Sequence, residues 1–126
     1  MENIERKPIV IIHDLSPHEF DYQKPSLDYY KVVTKRDKIN CDIIHVNSLN
    51  GNLNDPKVQR IVLMVHNNFN QMLELTKNLI TQKKNQLTVF SAFAEHRHRQ
   101  AFKKLGIEMK TIPVPAEELI KACTLN

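Results

Sequence analysis

Four polar side chains in this chain stand at or just past the ends of apolar runs, and their types are those that metal binding and nucleophilic catalysis use. His13 and Asp14 lie in "PIVIIHDL" (8–15), His66 follows "RIVLMV" (60–65), and Ser91 lies in "QLTVFSAF" (86–93). Imidazole beside carboxylate is an adequate donor set for zinc or iron, so His13, Asp14 and His66 form a candidate metal site. Hydroxyl, imidazole and carboxylate are also the parts of a relay, Ser91–His66–Asp14. Neither reading rests on a motif: the metal candidates lack helical i, i+4 spacing, and Ser91 has no nucleophile-elbow signature. The plainer reading of each histidine is a ring hydrogen-bonded at the end of a strand.

Other chemistries are excluded more firmly. A dinucleotide site or P-loop needs glycines after a strand, where phosphate approaches backbone N–H groups. The chain has two, Gly51 and Gly106, and neither is so placed. The segment 95–104 invites a nucleic-acid reading, with His96, Arg97, Arg99, Gln100, Lys103 and Lys104 on the outer faces of a helix. Its aromatic neighbours Phe93 and Phe102 fall at loop or core positions, and no helix-turn-helix, zinc-finger or RNP pattern accompanies it. The formal charge is +4, with 18 Lys and Arg dispersed along the chain, so a solvated basic face is favoured over a nucleic-acid surface.

The elements that would position these groups alternate. "PIVIIHDL", "CDIIHV" (41–46), "RIVLMV" and "QLTVFSAF" read as strands, three of them continuous enough to be covered on both faces, and "EMKTIPV" (108–114) as a short fifth. "SLDYYKVVTKRDK" (26–38) is a helix candidate with Ser26 as N-cap. Phe69, Met72, Leu73, Thr76, Leu79 and Ile80 give a second helix its inner stripe. Ala94, His98, Ala101, Phe102 and Leu105 do so for a third, stopped by Gly106, and "PAEELIKACTL" (115–125) forms the last. "NSLNGNLNDPKVQ" (47–59) holds Asn-Gly and Asp-Pro turn signals and has little room for a helix.

This pattern predicts a doubly wound α/β fold, a five-stranded parallel sheet of flavodoxin-like (βα)5 type in one domain, 1–126. Its ligand edge lies at the carboxyl ends of the strands. Composition is that of an ordinary globular chain, 41% hydrophobic and 25% charged. No apolar run approaches a membrane span, and the mixed-charge start without a cleavage pattern predicts a cytoplasmic protein. Cys41 and Cys123 read as core residues rather than a disulfide framework.

The stretch "SAFAEHRHRQAFKKLGIEMKTIPVPAEELIKA" (91–122) resembles the C-terminal third of response-regulator receiver domains, the phosphoacceptor domains of phosphorelay signal transduction. Ser91-Ala92, Ala101, Leu105-Gly106, Pro115 and Glu117-Glu118-Leu119 fall in the family's order, with fifteen positions from Ser91 to Gly106. "IVIIHDLSP" and "RIVLMVHNN" resemble its first and third strands. The resemblance implies a phosphorylation pocket at Asp14, Leu15, Val65, His66, Ser91 and Val114, and in that pocket most of the chemistry is lost. Of the paired Mg²⁺ acids only Asp14 is present, with Leu15 beside it. The phosphoacceptor position falls on Val65, or on His66 if the strand slips by one, and the phosphate-binding lysine on Val114 or Pro113. Lys110 or Thr111 replaces the switch aromatic. A carboxylate nucleophile is required for an acyl phosphate.

The chain is therefore expected to be a degenerate pseudo-receiver: non-catalytic, without a cofactor, and acting through protein–protein contacts. The resemblance places its partner or homodimer face on the helix after strand four, strand five and the last helix, with Arg97, Arg99, Lys103, Lys104 and Lys110. The alternative is a small flavodoxin-like enzyme or metal protein using His13, Asp14, His66 and Ser91. Last comes an active receiver with a displaced acceptor, phosphohistidine at His66.

Overall fold

Five parallel strands form one sheet in the order β2-β1-β3-β4-β5, where β1 is Ile9–His13, β2 Cys41–His45, β3 Arg60–Val65, β4 Leu87–Ser91 and β5 Lys110–Thr111. The structure is a computed structural model, and it describes residues 7–15, 24–49, 53, 56–83 and 86–124. Among these, four α-helices are present: α1 Lys24–Arg36, α2 Phe69–Lys83, α3 His96–Lys103 and α4 Ala116–Ala122. The predicted doubly wound α/β sheet is thus the observed one. No helix of the described residues is long and apolar enough to cross a membrane.

The β-branched runs explain the order of burial. β1 is buried along its whole length and β3 from Ile61 onward, and these two occupy the centre. Alternate side chains feed opposite layers. Ile9, Ile11, Val62, Met64 and Phe90 pack with Tyr30 and Val33 of α1, Leu119 of α4 and Cys123 just past its end. Val10, Ile12, Ile61, Leu63, Val65 and Val89 pack with Met72 and Leu79 of α2 and Phe102 of α3. The connection after β2 supplies only one 3₁₀ turn, Val46–Ser48, among its described residues, and Leu53 and Val58 fill the α2/α3 layer there.

Three boundaries differ from expectation. α1 begins at Lys24, so Ser26 is inside the helix and is not its N-cap. Pro25 occupies the first turn instead, where a missing N–H leaves no intrahelical bond unmade. Ala94 is exposed and precedes α3, so it is not part of the inner stripe, whereas His98 and Phe102 are buried. β5 is two residues long and pairs only with Phe90 and Ser91. The segment "SPHEFDYQKP" (16–25) reads as a loop from its sequence, but Lys24 and Pro25 belong to α1; residues 16–23 and the Asn50-Gly51 turn lie outside the described residues.

The predicted stop at Gly106 is a Schellman closure. Gly106 takes a left-handed φ of 79°, its N–H donates to the Lys103 carbonyl (2.9 Å), and the Ile107 N–H donates to Phe102 (3.1 Å). That closure fixes the return of the chain into β5.

Candidate functional site

The order of strands reverses between β1 and β3, and the carboxyl ends of these two strands frame a crevice. Asp14 stands in it, 5% exposed. Its Oδ1 accepts the His66 N–H (2.6 Å), and its Oδ2 accepts the N–H groups of Asn67 (3.0 Å) and Asn68 (2.6 Å). The Asn67 side chain donates from Nδ2 to the Asp14 carbonyl (2.9 Å), and Asn68 Oδ1 caps α2 by accepting from the Gln71 N–H (3.1 Å). The carboxylate thus sits where an external anion would, at the mouth of α2, and three charge-assisted bonds hold it there.

The histidines along this edge are each tied to a neighbour. His13 Nδ1 accepts the Leu15 N–H (3.1 Å), and its ring meets His45 edge-on, with centroids 5.3 Å apart. Burial pushes His13 down to about 4, helped by His45 and opposed by Asp14, so the ring is neutral at pH 7. His45 Nδ1 accepts the Asn47 N–H (3.0 Å) and opens the 3₁₀ turn. His66 Nε2 shares a 2.8 Å hydrogen bond with the Tyr30 hydroxyl. Burial lowers the His66 pKa, against the pull of Asp14, and raises that of the Tyr30 phenol. The phenol therefore stays protonated, and which of the two partners donates follows the imidazole tautomer.

These bonds correct the two strand-end readings. The relay is not assembled: the His66 ring bonds Tyr30, and Asp14 accepts from the His66 backbone rather than its ring. The fully buried Ser91 hydroxyl accepts the Phe93 N–H (2.9 Å) and donates to the Phe93 carbonyl (3.1 Å). His13, Asp14 and His66 do not converge on a metal position either, and among the described residues no three His, Cys, Asp or Glu side chains could hold an ion. Nor does any buried side-chain nitrogen or oxygen among them lack a partner.

The six positions of the expected degenerate pocket are divided between the crevice and the two core layers. Asp14 and His66 meet at the crevice, but Leu15 and Val114 are buried in the α1/α4 layer and Val65 in the α2/α3 layer. Apolar side chains at strand ends gain more from the nearer core than from a polar crevice. The Val114 carbonyl accepts the Tyr29 hydroxyl (2.9 Å), which ties the segment before α4 to α1.

Arg97, Arg99, Lys103, Lys104 and Lys110 are all exposed, as expected of a surface. They do not share one opening. Arg99 and Lys103 line a groove of about 520 Å³ with His96, Gln100, Ile107 and Met109. Lys110 pairs with Glu118 across β5 and α4 (3.6 Å). Arg97 instead faces a cleft of about 450 Å³ between the loops after β3 and β4, lined by Asn67, Asn68, Phe69, Asn70, Phe93 and His98.

Sequence reasoning missed His45, Tyr30 and this cleft. A parallel register pairing His13 with His45 was the available signal for the first. Neither Tyr30 nor the cleft has a local motif. No protein-family model matches the chain, and a comparison with curated proteins finds no significant match.

Proposed function

We propose that the chain is a non-catalytic signalling module of receiver-like architecture that acts through protein–protein contacts, independent of aspartate phosphorylation. The observation that carries this reading is the engagement of Asp14 by three backbone N–H groups. Three of the lone-pair positions of Asp14 are taken by the chain and its neighbour Leu15 is apolar and buried, so the pair offers a poor ligand set for Mg²⁺. Val65, at the position of the lost nucleophile, is fully buried and apolar.

The partner surface in this reading comprises α3, β5 and α4, and its exposed cations favour an acidic partner. Incubation with acetyl phosphate and Mg²⁺ is expected to leave the intact mass unchanged. Arg97→Glu combined with Lys104→Glu is expected to abolish capture of the partner from cell extract while the melting temperature holds. An acyl-phosphate or phosphohistidine adduct on the purified chain overturns the reading.

A further inference from the structure

We propose that the cleft between the loops after β3 and β4 binds a nucleoside monophosphate. Its volume of about 450 Å³ is that of a small-molecule site. The half-buried rings of Phe69 and Phe93 line it, with centroids 5.8 Å apart at 64°. His98 backs both, 4.6 Å from Phe69 and 5.3 Å from Phe93, and the fully buried Phe102 ring lies 5.5 Å from Phe69. Two half-exposed rings held from behind by buried ones offer a stacking surface with little side-chain freedom left to lose. Such a surface suits the flat face of a nucleobase.

The polar lining matches the remainder of that ligand. Asn68 and Asn70 present carboxamides, which carry donors and acceptors as base edges do. Asn68 Oδ1 is engaged by the Gln71 N–H, which leaves its NH₂ as the donor end. Arg97 is the one Lys, Arg, Asp or Glu among the lining residues, so the cleft favours an anion over a cation. Its ion pair with Glu95 is 3.5 Å long and exposed at both ends, the kind of pair that a phosphate displaces readily. The N–H groups of residues 66–68 already bond to Asp14, so recognition of the phosphate falls to the guanidinium.

Both walls are set in advance, one by Asp14 and the other by the Ser91–Phe93 turn, which lowers the ordering cost of binding. The inference does not rest on the partner-binding reading: Arg97 is common to both, but Phe69 and Phe93 lie outside the basic surface.

The test is a calorimetric titration of the purified chain with AMP, GMP, CMP and UMP, then with the matching nucleoside, ribose 5-phosphate and inorganic phosphate. At least one monophosphate is expected to bind, its nucleoside more weakly, and the two base-free phosphates more weakly still. Phe93→Ala, and Phe93→Leu as the variant that preserves bulk, should weaken monophosphate and nucleoside alike by about tenfold. Arg97→Ala should weaken only the monophosphate, by about tenfold. The proposal is overturned if no monophosphate binds at millimolar concentration. It is equally overturned if ribose 5-phosphate binds as well as the nucleotide, or if folded Phe93→Leu binds normally.

Discussion

The crevice between β1 and β3 and the cleft between the loops after β3 and β4 open on the same edge of the sheet, yet only the first is filled by the chain itself. In the crevice Asp14 takes three backbone N–H groups and leaves no free carboxylate oxygen. In the cleft two phenylalanine rings and a guanidinium face open space. The difference is functional as well as steric. The loop that Asp14 immobilises, residues 66–68, is also a wall of the neighbouring cleft, so the closed site builds the open one.

The strongest way to break this comparison is Asp14→Ala. It would leave three part-buried N–H groups without their carboxylate acceptor, and a loss of about 2–3 kcal/mol is expected in urea unfolding at pH 7. Asp14→Asn keeps one carbonyl oxygen as an acceptor and should fall between the two. A loss below about 1 kcal/mol for Asp14→Ala would show that the carboxylate does not hold the loop.

Acid should loosen the crevice. His13 titrates near 4 in the folded chain, against an ordinary value of 6.5. The unfolded chain therefore takes up a proton first as the pH falls. The stability from a neutral His13 is complete above about 6.5 and declines toward 4, by about 3 kcal/mol in all. His66, also lowered by burial, adds to the same slope. His13→Asn keeps an acceptor for the Leu15 N–H and should flatten the stability profile over that window. An unchanged slope would remove His13 as its source.

Ser91→Ala probes the other wall of the cleft and should have the smallest effect. It leaves the Phe93 N–H without its hydroxyl acceptor, at a cost of about 1–2 kcal/mol. Amide exchange should quicken at 92–94 and stay slow at 66–68. Equal quickening in both loops would mean that the walls are not independently held.

Much of the fold was legible because burial writes itself into local pattern. The run at 60–65 coincides with β3, and the spacing from Phe69 to Ile80 marks α2. Among the described residues after β2 there is only the 3₁₀ turn Val46–Ser48, in keeping with the turn residues of that segment. What was illegible depends on distance in the chain. Asp14 meets partners 52 to 54 positions away, and nothing local in "HDL" announces them. Leu15 and Val114 lie just past strand ends, where alternation stops and no longer tells which layer receives a side chain. The five cations were legible as exposed, but not that Arg97 faces one opening while Arg99 and Lys103 line another.

The brevity of β5 has a consequence for the chain in concentrated solution. A sheet margin with unpaired N–H and C=O groups is a template on which another molecule can be spliced. Here that margin is two residues long and is followed closely by Pro113, which has no N–H to offer. The opposite margin, β2, carries Asp42, held by the Lys7 N–H (3.2 Å). A charge on one border and an early stop on the other deny a growing fibril its starting strand.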